Sequence, residues 1–253
     1  MDMITSVQNE KVKAWRKLHK RKERLKSKLF IVEGYHLVEE AWKSNWEIKE
    51  LIVMDQTDIP SWYKESNITV VSKQVFQSIS KTETPQGILA IVKMKQTFIQ
   101  NGKHLLLIDA VQDPGNLGTI IRTADAAGLG GIILGEGTVD VFNDKVIRAT
   151  QGSLFHIPIK ESLLVEEINT LKNNGYHIWA SALEEAQDYQ EVNVPEKVAL
   201  LLGNEGAGIN QKYIEQADLS VKIPIYGKAE SLNVGVAASI LMYYIVQNTH
   251  INK

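Results

Sequence analysis

The sequence predicts an α/β protein with a small N-terminal unit and a larger C-terminal unit built on a parallel sheet. Apolar runs such as 104–109 and 198–202 lack polar alternation and are separated by helical segments, which is typical of a parallel sheet covered on both faces. A chain of 253 residues suits one large or two modest domains. A mostly polar stretch ending near Asn101-Gly102 predicts a linker at 96–103, between domains at 1–95 and 104–253.

The N-terminal unit begins with a basic segment that is predicted to be helical. Val12, Trp15 and Leu18 recur at helical spacing, so one amphipathic helix is expected within 11–28. Short apolar runs and helical periodicity predict the other elements of this unit: strands at 29–32, 51–54, 68–71 and 87–92, and helices at 35–44 and 73–79.

The C-terminal unit alternates strands and helices. Its strands are predicted at 104–109, 131–134, 176–180, 198–202 and 219–223. Its helices are predicted at 116–127, 143–149, 162–174, 210–216 and 232–247. Asn116 and Ser231 stand at the starts of two of these helices and are predicted to be their N-caps.

Charge is distributed unevenly along a chain whose net charge is only −2. Ten Lys or Arg residues and a single acid, Glu23, occupy 11–28. A solvated helix face would be balanced by more acids, so the segment is predicted to contact a polyanion. The residues expected to make these contacts are Lys11, Lys13, Arg16, Lys17, Lys20, Arg21, Arg24 and Lys28.

Composition excludes several classes of protein and site. With no cysteine, the chain has no disulfide, thiolate nucleophile or cysteine-ligated metal. The six histidines show no metal-ligand spacing, so no metal is predicted. No apolar run approaches the ~20 residues needed to span a bilayer, and no signal peptide is recognisable. We therefore expect a soluble, cytoplasmic protein that does not bind membranes.

Three polar, glycine-bearing stretches follow or contain apolar runs in the C-terminal half: 113–122 (DPGNLGTIIR), 202–206 (LGNEG) and 223–234 (IPIYGKAESLNV). Taken singly, each has an ordinary explanation as a helix cap or a glycine-rich turn, with Arg122 on a solvated face. The glycines Gly203, Gly206 and Gly208 do not have the G-x-G-x-x-G spacing of a dinucleotide site. Those at 128–131 follow a predicted helix instead of opening one. Open α/β sheets do bind ligands beyond the carboxyl ends of their strands, so a ligand loop at 203–208 is an equal possibility.

In this order, the three stretches resemble the motifs of the SpoU/TrmH family of RNA ribose methyltransferases. Further similarity lies at 146–155, and the N-terminal unit resembles the family's ribosomal-protein-like RNA-binding domain. The resemblance implies a SPOUT fold with a C-terminal trefoil knot, a rare exception among protein topologies. It also implies S-adenosylmethionine as cofactor, a homodimer paired through the knotted domain, and a ribose 2′-hydroxyl of rRNA or tRNA as target, with 23S rRNA preferred.

The resemblance also assigns roles to individual residues. The expected catalytic residues are Arg122, Asn116, Glu205, Ser231 and Asn233, with Arg122 stabilising negative charge on the attacking oxygen and Glu205 holding Arg122 or a ribose hydroxyl. The expected cofactor contacts are Ala182, Gly203, Asn204, Gly206, Ile223, Ser231 and Leu232. Arg148 is expected to contact a further phosphate.

Two other functions stay open at this stage. A non-catalytic RNA-binding or ribosome-assembly protein could keep the fold, although it would not need all five catalytic positions. An α/β enzyme that uses a dinucleotide is disfavoured, because neither unit has the glycine fingerprint after its first strand.

Overall fold

The computed structural model describes residues 3–65, 67–99 and 102–249. The α-helices in this part of the chain are α1 (Glu10–Lys17), α2 (Arg21–Ser27), α3 (Tyr35–Lys43), α4 (Lys73–Ile79), α5 (Pro114–Ala126), α6 (Asp144–Thr150), α7 (Leu164–Asn173), α8 (Gln211–Ile214) and α9 (Val234–Thr249). The strands are β1 (Leu29–Glu33), β2 (Ile48–Met54), β3 (Ile68–Val71), β4 (Ile88–Lys93), β5 (Leu105–Ile108), β6 (Gly131–Leu134), β7 (Ile159–Glu161), β8 (His177–Ser181), β9 (Gln187–Asp188), β10 (Val198–Leu202) and β11 (Leu219–Lys222).

The chain divides into two compact units. The first comprises Met1–Lys95 and Asp140–Phe155, and the second comprises Gln96–Val139 and His156–Lys253. The chain thus changes unit between Lys95 and Gln96, where the predicted linker begins, and the predicted domain bounds stay a prediction. The segment Asp140–Phe155, which we assigned to the C-terminal domain, instead packs with the first unit. Gln100 and Asn101 of the predicted linker lie outside the described residues.

The first unit is a four-stranded mixed sheet in the order β1-β4-β2-β3, with α1 and α4 in contact with each other. β4 pairs antiparallel with β1 and β2, whereas β2 and β3 are parallel. Val12 and Trp15 on α1, and Leu18 directly after it, pack into one buried cluster with Val75 and Phe76 of α4. The apolar stripe predicted from the basic segment is thus the inner face of α1.

The basic segment forms two short helices and not the single helix that we predicted. α1 ends at Lys17 and α2 begins at Arg21. No glycine or proline causes this break, so local propensity does not explain it. The break leaves the Leu18 carbonyl oxygen available, and Arg24 Nη1 donates a hydrogen bond to it at 2.8 Å. A tertiary contact therefore takes the place of helical hydrogen bonding.

Arg24 is the residue that most clearly departs from its predicted place on the surface. It is only 5% exposed, and its Nη2 pairs with the carboxylate of Asp140. Phe142 packs on Phe30 with ring centroids 4.6 Å apart, and Trp46 Nε1 donates to the Phe155 carbonyl oxygen at 3.2 Å. These contacts explain why Asp140–Phe155 belongs to the first unit, and they remove Arg24 from the predicted polyanion surface.

The second unit contains a seven-stranded sheet in the order β7-β6-β5-β10-β8-β11-β9. Every pairing in it is parallel, as the uninterrupted apolar runs predict. β5 and β10 are buried along their whole length at the centre of the sheet. The short edge strands β7 and β9 escaped prediction because two or three residues give no periodic signal.

Two helix caps differ from the prediction. α5 begins at Pro114, and its N-cap is Asp113, whose Oδ1 accepts from the Asn116 amide at 2.8 Å. Proline is favoured at the first helical position, so the helix starts two residues before the predicted start. At α9, Asn233 Oδ1 accepts from the Gly235 and Val236 amides, so Asn233 fills the capping role predicted for Ser231.

The described helices include none that is long and apolar enough to cross a membrane. The threading of the C-terminal segment through a knot stays a prediction. α9, which closes the second unit, packs chiefly on α5 and also contacts β10.

Candidate functional site

The candidate site lies where four neighbouring parallel strands of the second unit end. β5, β10, β8 and β11 are adjacent in the sheet and run in the same direction, so the loops that follow them emerge at one edge. These loops begin at Asp109, Gly203, Ala182 and Ile223. This edge is the usual ligand-binding side of an open α/β sheet. The sheet thus gathers the three sequence motifs, which are far apart along the chain.

Asn116 joins the three motifs through its side-chain amide. Its Nδ2 donates to Glu205 Oε1 at 3.1 Å, and its Oδ1 accepts from Asn233 Nδ2 at 2.9 Å. The capping of α5 by Asp113 makes this possible, because the Asn116 side chain is not needed at the helix end. Three of the five predicted catalytic residues therefore form one hydrogen-bonded chain.

Glu205 is held by the loop after β5 as well as by Asn116. Its Oε1 accepts from the Asp113 amide at 3.0 Å, and its Oε2 accepts from the Gln112 amide at 3.2 Å. Partial burial tends to raise the pKa of this carboxyl, but the hydrogen bonds from Asn116 and the two amides outweigh burial and lower its pKa below the ordinary value. Glu205 is therefore an ionised acceptor at neutral pH. Its hydrogen-bond partners are these groups and not Arg122.

Asn204 shapes the glycine-rich loop after β10. Its Oδ1 accepts from the Gly206 and Ala207 amides, both at 2.9 Å, while its Nδ2 donates to the Ala110 carbonyl oxygen at 2.8 Å. A Cβ on Gly203 would lie 2.3 Å from the Gly208 carbonyl carbon, so only glycine fits there. The loop is thus fixed internally, and its Asn204 side chain is engaged within the protein.

Arg122 and Ser231 lie outside the hydrogen-bonded chain. Arg122 is exposed on α5, in the second turn after Asn116, and has no ion-pair partner in the described part of the chain. Ser231 and Leu232 are exposed in the segment between β11 and α9. Their predicted roles stay predictions. The exposed guanidinium of Arg122 is accessible to a polyanionic substrate.

The remaining predicted cofactor contacts line the same edge with neutral backbone and apolar side chains. Ala182, Gly203 and Ile223 each come directly after one of three neighbouring strands, β8, β10 and β11. Leu183 is 55% exposed, Tyr226 92% and Leu232 36%, so apolar groups stand in solvent around these backbone positions. Such a surface fits the adenine and the methionine chain of S-adenosylmethionine, which need apolar contact together with backbone hydrogen bonds. Among the described residues no His, Cys, Asp or Glu cluster could hold a metal ion.

Sequence reasoning missed the role of Asp109. This residue is 8% exposed at the end of β5, and its Oδ2 accepts from the Asn210 amide at 2.7 Å. The contact ties the end of β5 to the start of α8. An acid directly after a buried apolar strand was the available signal, since a buried carboxylate requires hydrogen-bond partners.

The predicted polyanion-contacting residues of the first unit differ in exposure and in their contacts within the protein. Arg16, Lys17, Lys20, Arg21 and Lys28 are exposed. Others are engaged within the protein: Lys11 with Glu50, Lys13 with Glu10, and Arg148 with Asp144, at 2.8, 2.9 and 2.9 Å. Exposed ion pairs are weak and exchange readily, so these three side chains stay candidates, unlike the buried Arg24.

The fold and the site define a class of α/β protein. Its parallel sheet carries the loops of the candidate site at one edge, and the side-chain amides of Asn116 and Asn233 link these loops. Residues 103–243 match the model of the SpoU rRNA Methylase family, and residues 9–90 match the MRM3-like substrate binding domain. The chain belongs to the SpoU rRNA methylase family. It is therefore an S-adenosylmethionine-dependent RNA 2′-O-methyltransferase, as the resemblance of its motifs implied.

Individual relatives cover nearly the whole chain. The chain is 48% identical over 246 residues to the 23S rRNA (guanosine(2553)-2′-O)-methyltransferase RlmP of Bacillus subtilis strain 168, covering 97% of this chain and 99% of the relative. The AdoMet-bound rRNA methyltransferase of Sinorhizobium meliloti has a TM-score of 0.87 at 34% identity, with 97% of each chain covered. AviRb of Streptomyces viridochromogenes, in complex with AdoMet, has a TM-score of 0.86 at 25% identity and covers 95% of this chain and 98% of its own.

We predict that Asn116→Ala raises the pKa of the Glu205 carboxyl, because it removes one of the hydrogen bonds that lower it. Since the folded pKa is lowered, the ionised carboxylate stabilises the linked loops above the pH at which an unfolded glutamate titrates. That contribution disappears as the pH falls through the lowered pKa. Carboxyl-carbon NMR titration of Glu205 measures the shift.

Asn233→Ala is the matched control, because it removes the donor to Asn116 but no hydrogen bond to Glu205 itself. It should move the pKa of Glu205 less than Asn116→Ala does. Equal shifts in the two variants would contradict a direct role for the Asn116 amide.

Proposed function

We propose that this protein methylates the ribose 2′-hydroxyl of a guanosine in 23S rRNA, in the cytoplasm. The observation that carries the proposal is the chain Glu205–Asn116–Asn233, which brings all three family motifs together at one sheet edge. The choice of 23S rRNA rests on 48% identity over nearly the whole length of a relative named for that activity. A tRNA substrate, or RNA binding without methyl transfer, is an outcome that the assay below separates.

The bound cofactor would supply an electrophilic methyl group on its sulfonium, and the protein has to place the ribose oxygen in line with it. We assign the contacts to the cofactor to backbone at Ala182, Gly203, Gly206, Ile223 and Leu232. Asn204 supports them by holding the loop after β10 in shape. Neutral backbone and apolar groups suit a cationic sulfonium cofactor, because they introduce no competing positive charge.

Arg122 is assigned to the substrate oxygen and the adjacent phosphate. A guanidinium does not lose its proton in proteins, so Arg122 acts as a fixed cation and not as a base. It stabilises negative charge that develops on the 2′-oxygen, and its planar fork matches a phosphate. Asn116 and Asn233 position the loops that follow β5 and β11. Ser231 is close in sequence to the capping Asn233 and is assigned to the nucleotide.

We predict that the wild-type protein transfers radiolabelled methyl from S-adenosylmethionine to RNA from cells lacking this gene, and that the label enters 23S rRNA alone. RNA from wild-type cells is already methylated and should take up none. Arg122→Ala should reduce transfer at least about a hundredfold, as removal of one charge-stabilising donor does in other enzymes. Its affinity for the cofactor should stay close to that of the wild type.

Arg122→Lys is the matched variant, since it keeps the charge and loses the planar fork. It should keep more activity than Arg122→Ala. Label in tRNA would show that tRNA, and not 23S rRNA, is the substrate. The absence of transfer from a protein that still binds RNA would support the non-catalytic alternative. An equal loss of cofactor affinity in Arg122→Ala would contradict the assigned role of Arg122.

We propose that the exposed cations of the basic segment bind the phosphates of the rRNA. Changing Arg16, Lys20 and Lys28 to Gln should weaken rRNA binding and reduce the slope of log K against log salt by roughly one for each phosphate that the variant no longer binds. None of the three forms an ion pair within the described chain, so the changes break no internal salt bridge. Filter binding at several salt concentrations gives the slope.

The control for this triple variant removes equal charge elsewhere in the same unit. Lys64, Lys73 and Lys81 are exposed and lie outside the basic segment. Their change to Gln should alter the slope less. An equal loss in both triple variants would indicate attraction by net charge alone.

We propose that the protein is a homodimer paired through α9. This helix is apolar nearly all round, yet Val236 is 48% exposed, Tyr243 is 43% exposed and Ile240 between them is half-buried. These positions are three or four residues apart and form one stripe. A helix that is apolar on all sides is normally buried on all sides, so the stripe requires a partner surface.

We predict that Tyr243→Glu converts the dimer to monomer, because it places a charge in an apolar interface. Sedimentation equilibrium distinguishes the two masses. Asn169→Glu, on the exposed side of α7, is the control and should leave the dimer intact. A wild-type protein that sediments as a monomer would refute the proposal.

A further inference from the structure

The first unit contains a cavity of about 370 Å³ that the proposed function does not use. It lies between α1, α2 and the sheet, and its size falls within the ~300–1,000 Å³ typical of small-ligand sites. Residues of both short helices, α1 and α2, line it. Its mouth is formed by exposed residues, among them Ala14 and Lys17.

The inner wall of the cavity is apolar and fixed in place. Trp15, Leu18, Leu29 and Ile91 contribute to it. Trp15 is 4% exposed, and its indole Nε1 donates to Glu50 Oε2 at 3.1 Å. Glu50 Oε1 in turn accepts from Lys11 Nζ at 2.8 Å and from Thr69 Oγ1 at 2.5 Å. The wall is thus preorganised, and the carboxylate of Glu50 is already engaged.

Two charged groups at the cavity stand in contrast to Glu50. Glu23 and Lys17 are both among the residues that line the cavity. Neither has a hydrogen-bond or ion-pair partner within the ranges that the structure describes. Glu23 is also the single acid of the basic segment 11–28. Glu23 lies in the first turn of α2, and its carboxylate offers two acceptor oxygens to a hydrogen-bond donor on a ligand.

We propose that this cavity receives one unstacked guanine base of the RNA substrate. An apolar wall takes the flat face of a base, and recognition of single-stranded RNA commonly combines such contact with hydrogen bonds to the base edge. The Watson–Crick edge of guanine presents two adjacent N–H donors, which match the two oxygens of the Glu23 carboxylate. Lys17 at the mouth neutralises the phosphate that accompanies the base.

The inference rests on the proposed function, because it takes the ligand from the RNA that the enzyme methylates. We take the guanine in the cavity to be a different nucleotide from the one that reacts, because the cavity and the candidate site are formed by different units of the chain. The cavity therefore contributes to the choice of RNA and not to the transfer of the methyl group.

The first experiment fills the cavity without removing any charge. Ala14→Trp should lower affinity for 23S rRNA from cells lacking the gene by about tenfold, the scale of losing one stacked base. The salt slope should stay unchanged, because no cation is removed. Ala14→Ser keeps the cavity open, and Gln77→Trp places the same indole on the exposed face of α4; both should bind as the wild type does. Unchanged affinity in Ala14→Trp would overturn the inference.

The second experiment separates this inference from the proposed function. Guanosine 5′-monophosphate should shift the NMR signal of the Trp15 indole N–H, and adenosine 5′-monophosphate should shift it less. Glu23→Gln should remove the difference, because an amide no longer offers two acceptors. This measurement does not depend on methyl transfer. If the protein methylates rRNA normally but shows no guanine preference at Trp15, the proposed function stands and the proposed base site is refuted.

Discussion

The side-chain amide of Asn116 is the interaction on which the geometry of the second unit's site depends. An amide can donate and accept at the same time, and Asn116 does both, toward residues 89 and 117 positions away along the chain. An aspartate at this position would repel Glu205, and a leucine would leave a hydrogen-bonding gap on both sides. The requirement for a neutral side chain with one donor end and one acceptor end explains why asparagine occupies the position.

That role depends in turn on how α5, the helix that carries Asn116, is capped. Asp113 accepts from the Asn116 backbone amide, and Pro114 at the first helical position needs no hydrogen bond for its nitrogen. The backbone of Asn116 is therefore satisfied locally while its side chain reaches across to other loops. α5 then carries Arg122 to an exposed position that is free of internal ion pairs among the described residues. A rigid network thus supports an accessible cation, and accessibility suits a substrate as large as RNA.

The sequence predicted the strands and most helices well because long apolar runs and helical periodicity are local signals. It placed the family motifs on the correct loops, since each motif directly follows or contains a strand-like run. It did not predict which asparagine caps a helix and which one bridges loops. Asn116 and Asn233 are the same residue type, and only the hydrogen bonds of the folded structure show that Asn233 caps α9 while also donating to Asn116. The predicted roles of Ser231 and Arg122 rest on the family resemblance.

The same limit applies to Arg24 and to the segment Asp140–Phe155 of the first unit. Arg24 lies within a run of exposed cations, and nothing near it in the sequence distinguishes it from Arg21 or Lys26. Its burial follows from Asp140, which lies 116 residues further along. Removing either partner of a buried ion pair typically costs about 3–5 kcal/mol, because a charge is left buried alone. The first unit therefore depends for its own stability on a segment that the sequence places among the methyltransferase motifs. A boundary drawn after residue 95 divides the chain by sequence order, but it leaves Phe30 without Phe142 and Arg24 without its counter-ion.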